Sequence, residues 1–452
     1  MPGATLSRWT MSYFAAACLF LLIGEVMMVT GCGYPVVAID APETLALVHV
    51  LAIGWLSLLM VGALLQFVPV LVAAPLRGRR LALPVLLLLV TGLLLLAGGF
   101  GALAGVGVLS PAMLPLGALL LVTGFGLAAA MLAATLFAAR PLPLPARFVG
   151  LGLLALVATA LIGAAFALAL SGTVATDPLI RLLVHGVPLH AALGLGGWLT
   201  LTAVGVSYRL LPMFMLAPEE ARGISKVVWW AGSAALALVA ARTAWLVLDA
   251  SAVEEPLALA ALLAAAAVIL YCADVIRLFR ERRRRAVELN IRASYAAFAA
   301  LLLSVVLFII PGTRAAAGEG AAALVYLFVF GWLTGLGLAQ LYKIVPFLTW
   351  LECYGTVLGR AAVPRVQDLV REGRSSLWFC LYYGAVTAAT GSLFAGSAPW
   401  FRAALLLQLV ATVGLMAELV RARMLSSVAE PLCFPLGAPR PNLFLPISRQ
   451  QE

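Results

Sequence analysis

The chain has 452 residues, 64% of them hydrophobic and 11% charged, with a mean hydropathy of +1.10. Soluble domains run at about 45 to 50% apolar and about 25% charged, so a soluble fold is excluded and an integral membrane protein is expected. The net charge of +10 does not call for a nucleic-acid partner, because the arginines sit in short connections between apolar runs, where they set membrane orientation.

A bilayer crossing takes about 20 apolar residues. Runs between polar or Pro/Gly breaks predict twelve spans, at 9–31, 43–72, 81–104, 112–139, 146–172, 182–216, 227–249, 255–279, 293–312, 321–350, 376–395 and 399–423. The first run is too long for a cleaved signal peptide, contains Glu25 and lacks a small-residue cleavage site. Even-numbered connections carry Arg77, Arg79, Arg80, Arg140, Arg147, Arg222, Lys226, the run Arg282 to Arg285, Arg360, Arg365, Arg371 and Arg374. Odd ones carry mainly acids, Asp40, Glu43, Asp177, Asp249, Glu254 and Glu255, against Arg181, Arg314 and Arg402. The positive-inside rule then predicts cytoplasmic termini, in a multi-pass protein of the bacterial cytoplasmic membrane whose first partner is the lipid bilayer. The six cysteines show no CxxC spacing, so no disulfide framework is expected.

Spans two, six and ten share a motif: Gly54-Trp55-Leu56-Ser57, Gly197-Trp198-Leu199-Thr200 and Gly331-Trp332-Leu333-Thr334, each with a proline fourteen residues past the Trp, at Pro69, Pro212 and Pro346. The tryptophans lie 143 and 134 residues apart, so the repeating unit holds four spans, at about 1–140, 141–280 and 281–424, followed by a Pro-rich tail at 425–452. Seven residues after each Trp comes Gly62, Gly205 or Ala339, small enough for close helix contact. Eleven after it comes Gln66, Arg209 or Lys343, expected to snorkel to the headgroups or to bind an anion. Each proline is expected to kink or end its helix.

Twelve spans in three four-helix units, with His49 near the outer end of span two, resemble the catalytic subunit of the heme-copper oxidase superfamily. The phrases His190-Ala-Ala-Leu-Gly-Leu-Gly-Gly-Trp198 and Ser207-Tyr-Arg-Leu-Leu-Pro-Met-Phe214 are similar to the cbb3-type subunit and to NnrS-like membrane proteins. The resemblance implies an all-α membrane fold of three pseudo-threefold four-helix repeats, with a span-two His that ligates low-spin heme. It also implies further heme and copper ligands in spans six, seven and ten, and there the chain departs. It has three histidines in all, His49, His185 and His190, and Tyr326 stands in span ten where His49 stands in span two. A complete terminal oxidase or nitric oxide reductase is therefore not expected.

The remaining polar and metal-competent residues gather in the outer layer of the predicted spans: His49, His185, His190, Glu25, Met28 and Arg242. Imidazole suits heme iron, copper or zinc, and thioether sulfur suits Cu(I) or a heme axial position. One arrangement has heme b on His49, with Met28 or a span-six His opposite and Arg242 near a propionate. Another has a copper or zinc ion among His49, His185 and His190, with Glu25 beside it. At 100° per residue His49 and His190 differ by about 160° around the helix relative to their tryptophans, so they do not fill equivalent places in the repeat. No CxxCH, HExxH, phosphate-binding loop or dinucleotide fingerprint is present. The expected function is electron transfer, sensing or assembly in respiration of oxygen or nitrogen oxides, with other respiratory membrane subunits or a periplasmic electron carrier as partners. A transporter or channel for a small anion, metal or proton is the alternative, and a cofactor-free structural subunit a second.

Between spans ten and eleven, Ala361 to Arg374 alternates Val363, Val366 and Leu369 with charges, predicting a short amphipathic helix on the inner leaflet. The tail from Ser426 is predicted to be extended and to dock on the bundle or a partner.

Overall fold

The computed structural model describes residues 2–218, 223–248, 255–284, 286–310, 319–435 and 438–441. Arg222, Asp249, Glu254, Arg285 and Arg314, all counted above for orientation, lie outside the described residues, as does the tail beyond Pro441. Regular structure among the described residues is helical. Among the described residues twelve helices are long and apolar enough to cross a membrane: Trp9–Thr30, Pro42–Val72, Arg79–Leu103, Met113–Leu136, Leu144–Leu170, Val187–Met215, Gly223–Leu248, Leu257–Arg280, Leu289–Ile309, Gly320–Tyr354, Glu372–Phe394 and Ala398–Arg423. They are spans one to twelve, and they make the chain a multi-pass membrane protein. In lipid this is the expected outcome, since a helix satisfies every backbone polar group within its own segment.

The boundaries follow local stereochemistry. Span six begins at Val187, later than its apolar run suggested, because Asp177–His185 forms a separate helix that stops at Gly186. Pro188 then occupies the first turn of the next helix, where its missing N–H costs nothing. His185 therefore lies outside span six. Pro69 and Pro212 stay inside their helices, and each helix ends four residues later on a left-handed residue, Ala73 (φ 49°) and Leu216 (φ 52°). The following amides, Ala74 and Ala217, close on the proline carbonyls at 3.1 and 3.0 Å. Span ten breaks this pattern and runs on past Pro346 to Tyr354.

The chain forms two compact units, residues 1–39 with 287–452 and residues 40–286. In the first, span one packs on spans ten and twelve, and spans nine to twelve pack on one another. In the second, spans two to eight pack in sequence, with span two also meeting span six. The compact units differ from the expected four-span units: span one belongs with the last four spans.

All three Gly-Trp motifs are π-helical, over Val50–Ser57, Ala192–Leu201 and Leu327–Thr334. Ser57 Oγ donates to the Ala52 carbonyl five residues back at 2.8 Å, the reach of a widened turn. Trp55, Trp198 and Trp332 are at most 2% exposed. In the second unit the Trp198 indole donates to Ser57 Oγ at 3.1 Å, so the motif of span six is hydrogen-bonded to that of span two. Segments of π-helix recur at functional sites, and here each one begins within two residues of His49, His190 or Tyr326.

The glycine before the tryptophan sets the helix spacing. A Cβ at Gly197 would lie 2.7 Å from Ala155 Cβ and from Leu236 Cδ1, and one at Gly331 would lie 2.7 Å from Ala300 Cβ. Gly196, one residue earlier, faces open space. Gly197→Ala is therefore expected to destabilise the protein by about 1–3 kcal/mol through overpacking. Gly196→Ala should change stability by no more than about 0.5 kcal/mol; thermal unfolding in detergent compares the two.

The connection after span ten departs from the expected surface helix. Pro364 interrupts it, its carbonyl accepts from Trp350 Nε1 at 2.6 Å, and only Val366–Leu369 forms a turn of 3₁₀-helix. Leu369 is buried with Cys353, Tyr354 and Leu425, against which Val428, Cys433 and Ala438 of the tail also pack. Tyr354 Oη donates to the Cys433 carbonyl at 2.9 Å. The apolar residues of loop and tail thus cover the end of span ten. Arg365 donates to Asp368 from both side chain and backbone and holds its carboxyl below the ordinary aspartate range. A depressed carboxylate contributes stability above its unfolded pKa and loses it as pH falls through the folded value, so this contact weakens only in acid.

Candidate functional site

In the second unit His49 is the last residue of Pro42–His49, directly before the π-helix of span two, and His190 lies two residues before that of span six. Their ring centres are 6.4 Å apart with planes inclined at 34°. They meet where spans two and six pack together, although they stand at different places in their motifs.

His49 Nδ1 donates to the Leu45 carbonyl at 2.7 Å, which fixes the proton on that nitrogen and leaves the Nε2 lone pair free for a ligand. His190 Nδ1 is buried with no hydrogen-bond partner. Phe100 of span three lies 5.3 Å from His49, and Phe166 of span five 5.4 Å from His190, centre to centre. Gly163 of span five makes room for the second imidazole, since a Cβ there would come within 3.1 Å of His190 Cε1.

Two imidazoles bound to opposite sides of one ion, each nitrogen at about 2 Å, bring their ring centres to about 6 Å. The pair has that spacing. Among the described residues no three His, Cys, Asp or Glu side chains gather to hold a metal ion, and His185 is exposed at the end of its own short helix. The expected copper or zinc centre of three histidines is therefore not assembled, for the reason already seen at Gly186 and Pro188.

Arg242 lies three residues past Val239 and four before Leu246, hence on the same face of span seven. Val239 and Leu246 pack against Leu189 and Leu193 of span six, which sets Arg242 at the height of His190. It is half-buried, and its Nε and Nη1 have no hydrogen-bond partner. An unpaired guanidinium at bilayer depth is a ready site for a carboxylate.

Glu25 and Met28 belong to the first unit, both buried. Glu25 Oε1 accepts from Gln408 Nε2 at 2.8 Å and Thr412 Oγ1 at 2.9 Å, both on span twelve. The phenol of Tyr326, which holds the His49 place in the third motif, donates in turn to Gln408 Oε1. Sequence reading singled out Glu25 and Tyr326 but missed Gln408 and Thr412. A polar pair at i and i+4 in an otherwise apolar span was the available signal.

Lys343, expected to snorkel or to hold an anion, instead pairs with Glu288 at 2.5 Å, with side chains 18% and 11% exposed. Glu288 also accepts from Gln367 Nε2 at 3.0 Å. The lysine charge is thus neutralised by the protein itself. Gln66 Oε1, at the matching place in span two, is buried with no partner.

Compared with the sequence patterns of known families and with characterised proteins, the chain matches none. Its functional reading accordingly rests on the geometry of the histidine pair and its surroundings.

Proposed function

We propose that the chain is a heme-binding membrane protein built like the catalytic subunit of the heme-copper oxidases, as three four-helix repeats. In this reading His49 and His190 would hold one heme b, and the protein serves respiration of oxygen or nitrogen oxides as an electron-transfer component. The observation that carries the reading is the 6.4 Å separation of the two imidazoles. A copper or zinc ion draws three or four ligands from the protein, whereas iron in a macrocycle asks only for axial ones. Two available imidazoles favour the heme.

When bound, heme supplies one-electron chemistry. The chain supplies the rest. The Leu45 carbonyl holds His49 in the tautomer that presents Nε2, and Gly163 leaves His190 its space. Arg242 offers its unpaired guanidinium to a propionate, and Phe100 and Phe166 exclude water from the imidazoles. Of the three histidines in the chain, only the exposed His185 is left beside this pair, too few for a binuclear centre, so the proposed role is electron transfer. The positive-inside orientation puts the pair on the periplasmic side, where an electron carrier would dock.

The test is a reduced-minus-oxidised optical spectrum of the purified protein, with metal analysis. A Soret band with sharp low-spin bands in the reduced state is expected. Protein with no Soret band and no bound copper or zinc would overturn the proposal, and bound copper without a Soret band would replace its cofactor.

A further inference from the structure

The first unit pairs its other described carboxylates on the spans with cations. Glu288 meets Lys343, Glu352 meets Arg423, Glu418 meets Arg374 and Arg421, and Glu372 meets Arg292. Glu25 is the exception. It is completely buried, yet no cation pairs with it among the described residues, and its two donors are an amide and a hydroxyl.

Both donors converge on Oε1, and Oε2 has no partner. As a carboxylate this group would leave a bare charged oxygen in an apolar interior, a loss of several kcal/mol. As a carboxylic acid the arrangement makes sense: Oε1 is the carbonyl oxygen, a good acceptor of two bonds, and Oε2 carries the proton. The spans packed on span one within this unit bring no cation onto the carboxyl: Arg402 of span twelve is exposed and donates to the Val29 carbonyl at 3.0 Å. Span twelve contributes Gln408 and Thr412, and span ten contributes Tyr326, itself engaged with Gln408. Tyr382 of span eleven is the other titratable group in electrostatic reach, and its hydroxyl is committed to the Phe330 carbonyl at 2.8 Å.

We propose that Glu25 is a proton-binding site: a neutral carboxylic acid at physiological pH that gives up its Oε2 proton when water or another acceptor reaches that oxygen. Release breaks the Oε2–H bond, the proton passes to the acceptor, and the carboxylate that remains is still held through Oε1 by Gln408 and Thr412. Tyr326, Gln408 and Glu25 form one hydrogen-bonded series across spans ten, twelve and one, so a change in any of them is felt at the acid. This assignment does not depend on heme at the histidine pair.

Infrared difference spectroscopy of the protein in lipid vesicles tests it. Wild type minus Glu25→Gln at pH 7 is expected to show a carboxylic-acid C=O band that moves to lower frequency in D₂O. Gln408→Leu and Thr412→Val each keep the acid but remove one donor to Oε1, so each should move the band to higher frequency. A difference spectrum that shows carboxylate bands at pH 7 in place of the acid band would overturn the proposal. Should Glu25→Gln fail to fold, the donor variants carry the test, and a carboxylic-acid region unmoved in both of them overturns it.

Discussion

His190→Ala is expected to abolish the bis-imidazole low-spin signature of the purified protein, His49→Ala to do the same, and His185→Ala to leave it intact. The first two each remove one of two imidazoles whose spacing suits a single ion, while the third alters an exposed side chain outside span six. His190→Met separates a ligand role from a packing role. A thioether can take the axial place, and Met/His ligation raises the potential, so this variant should retain heme with a higher midpoint. A cavity effect alone would not do that. Arg242→Leu leaves both imidazoles in place and removes the expected propionate partner, and losses at such supporting positions run about 10–100-fold in affinity. Heme-to-protein ratio, electron paramagnetic resonance and a redox titration read these outcomes together. Wild-type spectra surviving in both His49→Ala and His190→Ala would remove the proposed site altogether.

Arg423→Met is expected to cost about 3–5 kcal/mol of stability, because it strands Glu352 in the interior. The pair lies between spans ten and twelve at 2.5 Å, with side chains 5% and 3% exposed, and Arg423 Nη1 also donates to Thr349 at 3.1 Å. The double variant Glu352→Leu with Arg423→Met removes both charges and should recover most of that loss, since apolar replacement of a buried pair is often neutral. Arg292 and Glu372 form the contrasting pair, at 3.0 Å but 50% and 41% exposed. Arg292→Ala should cost less than about 1 kcal/mol. Unfolding of the detergent-solubilised protein measures all three, and additive losses in the double variant would show that the charges are not coupled.

The twelve spans were legible in the sequence to within a few residues at most ends, and the misses have local causes. At span six the apolar run continued through Leu182 and Val184, and hydropathy alone does not register that Gly186 and Pro188 interrupt the helix. Between spans ten and eleven the alternation of Val363, Val366 and Leu369 looked like an amphipathic helix. Val363 and Leu369 pack with Tyr354 and Leu425, and Pro364 prevents the helix. The π-helices had no signal of their own: the motif marked where they are, and nothing in its composition distinguishes a wide turn from an ordinary one.

Membrane character, the number of spans and the three Gly-Trp motifs can be read from the chain alone. Hydrocarbon leaves a polypeptide few choices, and about 20 apolar residues per crossing is a constraint local to each segment. Which side chains meet was decided only by the tertiary structure. His49 and His190 meet, with ring centres 6.4 Å apart, because spans two and six pack against each other, and no property of either helix alone records that. Lys343 lost its anion-binding role to Glu288, 55 residues away. Glu25 became a candidate proton site because Gln408 and Thr412, more than 380 residues distant, supply donors and no cation. A charge in lipid takes its meaning from its partner, and the partner is set by packing.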